Sequence, residues 1–217
     1  MTTSTTPVSD QVVGHVFTRT GRRPDSTPIV LGPDGVHYAA GERRTQIDPR
    51  YGVLRVRMTG SLERGERLLG TFDPELQWTA MAELQCANCG RPAEPADGGN
   101  LWVIPRPRIY SLSETAHLDT TTPPVCSPAC LRQCLYGCPV LRDGQIILRA
   151  QSAVPIGILG VVYDSITGRP VSTEQHLDHV AFTDDDRLDL TVAHFLTRRL
   201  RHMTEVPLTC LDILSAP

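Results

Sequence analysis

The sequence predicts an α+β fold: a β-rich N-terminal part, a cysteine-rich centre, and a C-terminal part of strands plus an amphipathic helix. Three observations carry this. Short apolar or alternating segments of strand length recur in the first half and again after residue 144. Three stretches bear helix signals: helix formers over 75–84, Ser-Pro at 127–128, and an acidic run at 184–186. Seventeen glycines and 18 prolines in 217 residues demand many turns and short elements.

Residues 1–10 are Thr/Ser-rich and read as a disordered tail. Strands follow over 11–19, 28–31 and 36–40, the last two joined by the turn 32-GPDG-35. The segment 52-GVLRVRM-58 alternates apolar residues with arginine, as a strand with one wet face does. A helix over 75–84 leads into the first cysteine pair, and strands are expected over 101–105 and 108–112. After the cysteines, 145–150 and 156–164 read as strands ended by the turn 165-SITGRP-170. The strongest helical pattern is 187-RLDLTVAHFLTRRLRHM-203. Its Val192, Phe195, Leu196, Leu200 and Met203 share one helical face, Asp184–Asp186 suit a helix start, and Arg198, Arg199, Arg201 and His202 suit its end.

The expected organisation is a tail at 1–10, a β-rich part at 11–83, a metal module at 84–142 and an α/β part at 143–217, with packing into a single domain as the alternative. The length suffices for a hydrophobic core without covalent staples. All 21 basic residues are arginine, which excludes Schiff-base lysines, a P-loop lysine and a Ser-Lys dyad. A net charge of −3 supplies no global field toward nucleic acid. The N-terminal residues lack the charged and apolar regions of a signal peptide, and the apolar run 153–163 is too short to span a bilayer. A soluble, cytoplasmic protein without a membrane partner is expected. In a reducing compartment, clustered cysteines favour metal over disulfides.

Six of the seven cysteines cluster. In 86-CANCG-90, a Cys-x-x-Cys loop lets Cys86 and Cys89 face one metal from a tight turn, and Gly90 permits the positive φ of such a knuckle. Gly-Arg-Pro after it is poor helix material, which disfavours a thiol-redox pair at a helix start. In 126-CSPACLRQCLYGCPVL-141, Ser127 is an N-cap, Pro128 sits at the first helical position, and Gly137 with Pro139 stops a helix over 128–136. Cys126 and Cys130 then lie at the positive end of that helix. Cys134 reads as a small buried apolar residue, and Cys134 and Cys138 stand as reserve ligands. Cys210 reads as buried. No iron–sulfur spacing matches.

A knuckle, hairpin-forming residues and a cysteine pair at a helix start together resemble the treble-clef zinc fingers, over residues 84–142 only. CANCG and CSPAC carry the resemblance, and the 36 residues between the two cysteine pairs imply a hairpin with an inserted loop. It implies one structural Zn2+ on Cys86, Cys89, Cys126 and Cys130, a closed four-cysteine site without the open position of catalytic zinc. The nucleases built on this scaffold need several histidines, whereas His117 is the one histidine between the pairs. The chain as a whole resembles actinobacterial proteins that carry a Cys-x-x-Cys-Gly knuckle, a resemblance that implies no function.

Outside the cysteines, 176-HLDH-179 offers His176, Asp178 and His179, which with His117 are the candidate catalytic residues. On a helix the two histidines of that segment share a face, and in a strand they point to opposite sides. The expected function is a non-enzymatic zinc-binding regulatory or interaction protein with a protein or nucleic acid partner. Two alternatives stand beside it. One is a zinc-supported hydrolase or nuclease drawing on 106–119, 176–186 and 198–202; the other is a thiol/zinc redox sensor.

Overall fold

Two long antiparallel strands organise the chain. In the computed structural model of the protein, residues 14–106 and 116–211 are described; the tail over 1–10, the strand expected over 108–112 and the side chain of Cys210 lie outside them. The N-terminal part consists of β1 (Phe17–Arg19), β2 (Arg23–Pro24), β3 (Ile29–Gly32), β4 (Gly35–Tyr38), β5 (Leu54–Arg55), β6 (Met58–Thr59) and β7 (Arg67–Phe72). Most of these form small antiparallel pairs, β1 with β7, β2 with β6 and β3 with β4. The strand expected over 52–58 divides into β5 and β6.

Then come α1 (Pro74–Glu83), β8 (Asn100–Pro105), β9 (His117–Thr120), α2 (Pro128–Gly137), β10 (Gln145–Val162), β11 (Asp178–Ala181), the single turn α3 (Asp185–Leu188) and β12 (Thr191–Glu205). The class is α+β, as expected. The two strands expected after the cysteines merge into β10, which runs 18 residues without a break.

The expected C-terminal helix is the main correction. Residues 191–205 form β12, paired with β10 from Leu148↔Glu205 to Val162↔Thr191. The acidic run does start a helix, since Asp184 accepts from the Arg187 N–H, but that helix is one turn long. The apolar spacing that reads as 3.6-periodic also suits a strand covered on both faces, because Thr191–His194 and Leu196–Arg198 are all buried. Thr191, Val192 and Thr197 favour the pleated conformation.

One side of β12 is completed by three separate partners. β5 pairs with Val192 and Ala193, and β9 pairs with Arg198–Arg201. Between them the Gln77 side chain accepts from the Leu196 N–H at 3.1 Å and donates to the Leu196 carbonyl at 3.0 Å. A side-chain amide thus stands in for a missing strand, which is why a polar residue of α1 is fully buried.

α1 is fixed at both ends. Asp73 accepts from the N–H groups of Glu75 and Leu76, and its carboxylate pairs with Arg22 at 2.8 Å in a buried contact. At the other end the buried Arg198 guanidinium donates to the carbonyls of Met81 (2.6 Å) and Ala82 (3.1 Å), and also to that of Ala153. Of the basic run expected to end a helix of its own, Arg198 instead complements the C-terminus of α1. Trp102, Leu148, Ile158, Leu196 and Leu200 are fully buried where α1 and the sheet meet, each contributing about 2 kcal/mol.

Candidate metal centre

Both cysteine pairs arrive from elements docked on the sheet. α1 ends at Leu84, left-handed at φ 53°. The chain then folds back on itself, the Cys86 N–H donating to the Arg91 carbonyl at 2.7 Å and the Gly90 N–H to the Cys86 carbonyl at 2.9 Å. Gly90 has φ 72°, as the knuckle requires, and an added Cβ there would lie 2.9 Å from the His15 ring. The knuckle is stitched to its surroundings by backbone bonds from His15 to Asn88, Val16 to Ala87 and Ala87 to Pro124.

The second pair begins where the Val125 N–H donates to the Leu101 carbonyl of β8 at 2.8 Å. Ser127 caps α2 by accepting from the Cys130 N–H, with Pro128 in the first turn, as the sequence predicts. Cys126 and Cys130 thus stand at the helix start.

The two halves meet. Cys89 and Cys126 bring their Sγ atoms to 3.6 Å, Cys126 and Cys130 likewise to 3.6 Å, and all four sulfurs lie within 4.8 Å of one another. Tetrahedral zinc with Zn–S bonds of about 2.3 Å needs S···S separations near 3.8 Å, so the donor set fits a thiolate-bound ion of that size. Among the described residues this is the one group of three or more His, Cys, Asp or Glu with ligand atoms so close. Cys134 and Cys138, the reserve ligands, stand outside it and join the apolar cluster beneath the centre.

Electrostatics divides the four. Burial pushes the Cys86 thiol well above the usual range, although the N–H groups of Cys89, Cys126 and Asn88 point at its sulfur and oppose that. Burial also raises Cys126. At Cys89 desolvation is outweighed by several contacts together, the Arg91 guanidinium 3.5 Å from the sulfur, the Arg91 backbone N–H, and Cys126 and Cys86, and the thiol falls to about 7. Burial, with smaller contributions from the neighbouring cysteines Cys130, Cys138, Cys89 and Cys126, takes Cys134 up to about 12. Buried thiols of this kind become anionic when a cation shares their site.

No protein-family model matches the chain, and none of the curated proteins or solved structures compared with it does. The chemistry rests on the geometry alone.

The hairpin that the treble-clef resemblance implies draws on strands expected over 101–105 and 108–112, and the second lies outside the described residues. Of the described strands between the cysteine pairs, β8 pairs with β10 and β9 with β12. The knuckle and helix start converge because both are anchored on a larger sheet.

The candidate catalytic residues form no metal-ligating group among the described residues. His117 is exposed at the start of β9 opposite Arg201, and His176 is exposed in a turn. Asp178 opens β11 and pairs with Arg187 at 3.3 Å, while His179 is exposed on the same strand. Asp119 ends the 106–119 segment, but the sequence does not single it out. The Arg199 guanidinium, bonded to it at 2.7 and 2.8 Å, lowers its carboxyl, and His117 and His179 add smaller contributions of the same sign. Nothing local signals Asp119, because its partner lies 80 residues away and meets it only across the β9–β12 pairing.

Proposed function

We propose that the protein is a non-enzymatic zinc-binding protein whose Cys86, Cys89, Cys126 and Cys130 hold one structural Zn2+ in a treble-clef-like arrangement. The observation that carries this is the convergence of four sulfurs, from a knuckle and a helix start, within 4.8 Å. Four thiolate donors suit zinc by softness and by tetrahedral geometry. They also fill every position of the tetrahedron, so no water is held for hydrolysis. Arg91 at the rim offsets part of the negative charge of a tetrathiolate site.

In this reading the metal clamps the strands around it and the protein acts in the cytoplasm as a regulatory or interaction module. Its partner is a protein or a nucleic acid, engaged through surface arginines whose planar guanidinium groups match carboxylate and phosphate. Metal analysis of protein purified without chelator should give one zinc per chain; a stoichiometry of zero removes the proposal. Capture from the native cell with the zinc-loaded protein, scored for both nucleic acid and protein, then separates the two partner classes.

A further inference from the structure

An apolar cavity of about 210 Å3 lies against the cysteine centre. Val16 just before β1, Phe17 from β1, Phe72 from β7, Val103 from β8 and Leu141 after α2 supply its walls. Thr121 and Thr122 add hydroxyl-bearing side chains, and no Asp, Glu, Arg or His stands among its lining residues. Its rim includes Gly70 and Val140, and Val140 is 46% exposed, so the cavity reaches the surface. A Cβ on Gly70 would lie 2.9 Å from the Val140 side chain, so the glycine lets β7 pass close to that rim.

Close-packed interiors hold few voids larger than a water molecule, and an unfilled one destabilises its surroundings. An apolar cavity of about 150 Å3 accepts benzene and stays dry otherwise, which scales to roughly eight heavy atoms here. A charged ligand would be stranded without a counter-charge. The cavity also touches both halves of the centre, through Ala87 between Cys86 and Cys89 and through Cys134 one turn after Cys130. Filling it restrains the knuckle and α2 together.

We propose that this cavity is a binding site for a compact, uncharged, apolar molecule, and that its occupancy steadies the cysteine centre. The binding stands on the cavity alone, whereas the coupling rests on the zinc reading.

Toluene is a suitable probe for the full-length, zinc-loaded protein. It should shift the methyl resonances of Val16, Val103 and Leu141 saturably and slow the loss of zinc to a chelator about fivefold. Cys134→Phe, which fills the space, should abolish both effects, and Thr122→Leu serves as the filled variant if Cys134→Phe does not fold. Absent methyl shifts, or shifts that persist in the filled variant, overturn the site. Shifts with an unchanged rate of zinc loss overturn the coupling and leave the site. A zinc stoichiometry of zero instead strikes the zinc reading, and the methyl shifts still report on the cavity.

Discussion

Cys86 and Cys89 sit three residues apart in one turn, and Cys126 and Cys130 four apart at one helix start, so each donor pair is built by local geometry. β12 is built the other way. Its partners are β10, β5, β9 and the Gln77 side chain, and the Gln77 bond spans 119 residues. At the centre, local structure prepares the parts and the metal of our proposal joins them. In β12 the β-branched Thr191, Val192 and Thr197 favour a strand only weakly, and long-range hydrogen bonds override a helical apolar pattern. Stability should therefore depend on few residues at the centre and on many along β12.

The largest expected effect comes from breaking the centre. Cys89→Ser should lose the zinc, unfold and aggregate, since structural zinc contributes on the order of 10 kcal/mol to folding. Cys138→Ala, a buried cysteine outside the group of four, should retain one zinc per chain and lose only about 1 kcal/mol. Metal content and urea unfolding measured side by side check the contrast. Equal loss of zinc in both variants would show that the four-sulfur set is wrong.

Along β12 the sharpest test is Arg198→Met. It leaves the carbonyls of Met81, Ala82 and Ala153 without their buried donor and should cost about 3 kcal/mol in urea unfolding, with zinc content unchanged. A midpoint like that of the parent would mean that α1 does not need its partner in the sheet.

Comparable in size, but visible only in acid, is the effect of His194 in the same strand. Burial holds its imidazole down to about 4 from an ordinary 6.5. The unfolded chain therefore binds the proton first as pH falls. The stabilisation is complete above about pH 6.5 and is lost progressively toward pH 4, a change of about 3 kcal/mol. Acid also displaces zinc from thiolates, in the same direction. The difference between the parent and His194→Leu isolates the histidine: the variant should show a shallower fall of stability between pH 6.5 and 4. Parallel curves would contradict its burial as a neutral group.

Smallest is Asp119→Asn. The ion pair with Arg199 lies on the open surface, where solvent screens it, so the unfolding midpoint should stay almost unchanged. A large loss would mean that the β9–β12 edge depends on this pair far more than an exposed contact allows.

Legibility follows the range of the contacts. The helix at 128–137 is announced by Ser127 and Pro128, and the knuckle by Cys-x-x-Cys-Gly. α1 and the strand at 100–105 are close to their expected bounds for the same reason. The segment 191–205 reads as a helix because Val192, Phe195, Leu196, Leu200 and Met203 satisfy a helical face, while burial on both sides of a strand leaves no alternation to detect. β8 and β9 are a related case, since each finds its partner in a strand beyond residue 144.

The sequence alone determined the chemistry available: soft sulfur donors, paired at spacings that covalent geometry turns toward a common point, and no lysine anywhere. Only the tertiary structure decided which sulfurs meet, which arginine is buried, and that the last long segment is a strand. The physical reason is that spacing within a turn is set by the backbone itself. Strand pairing instead depends on a partner far along the chain, whose position no local pattern records.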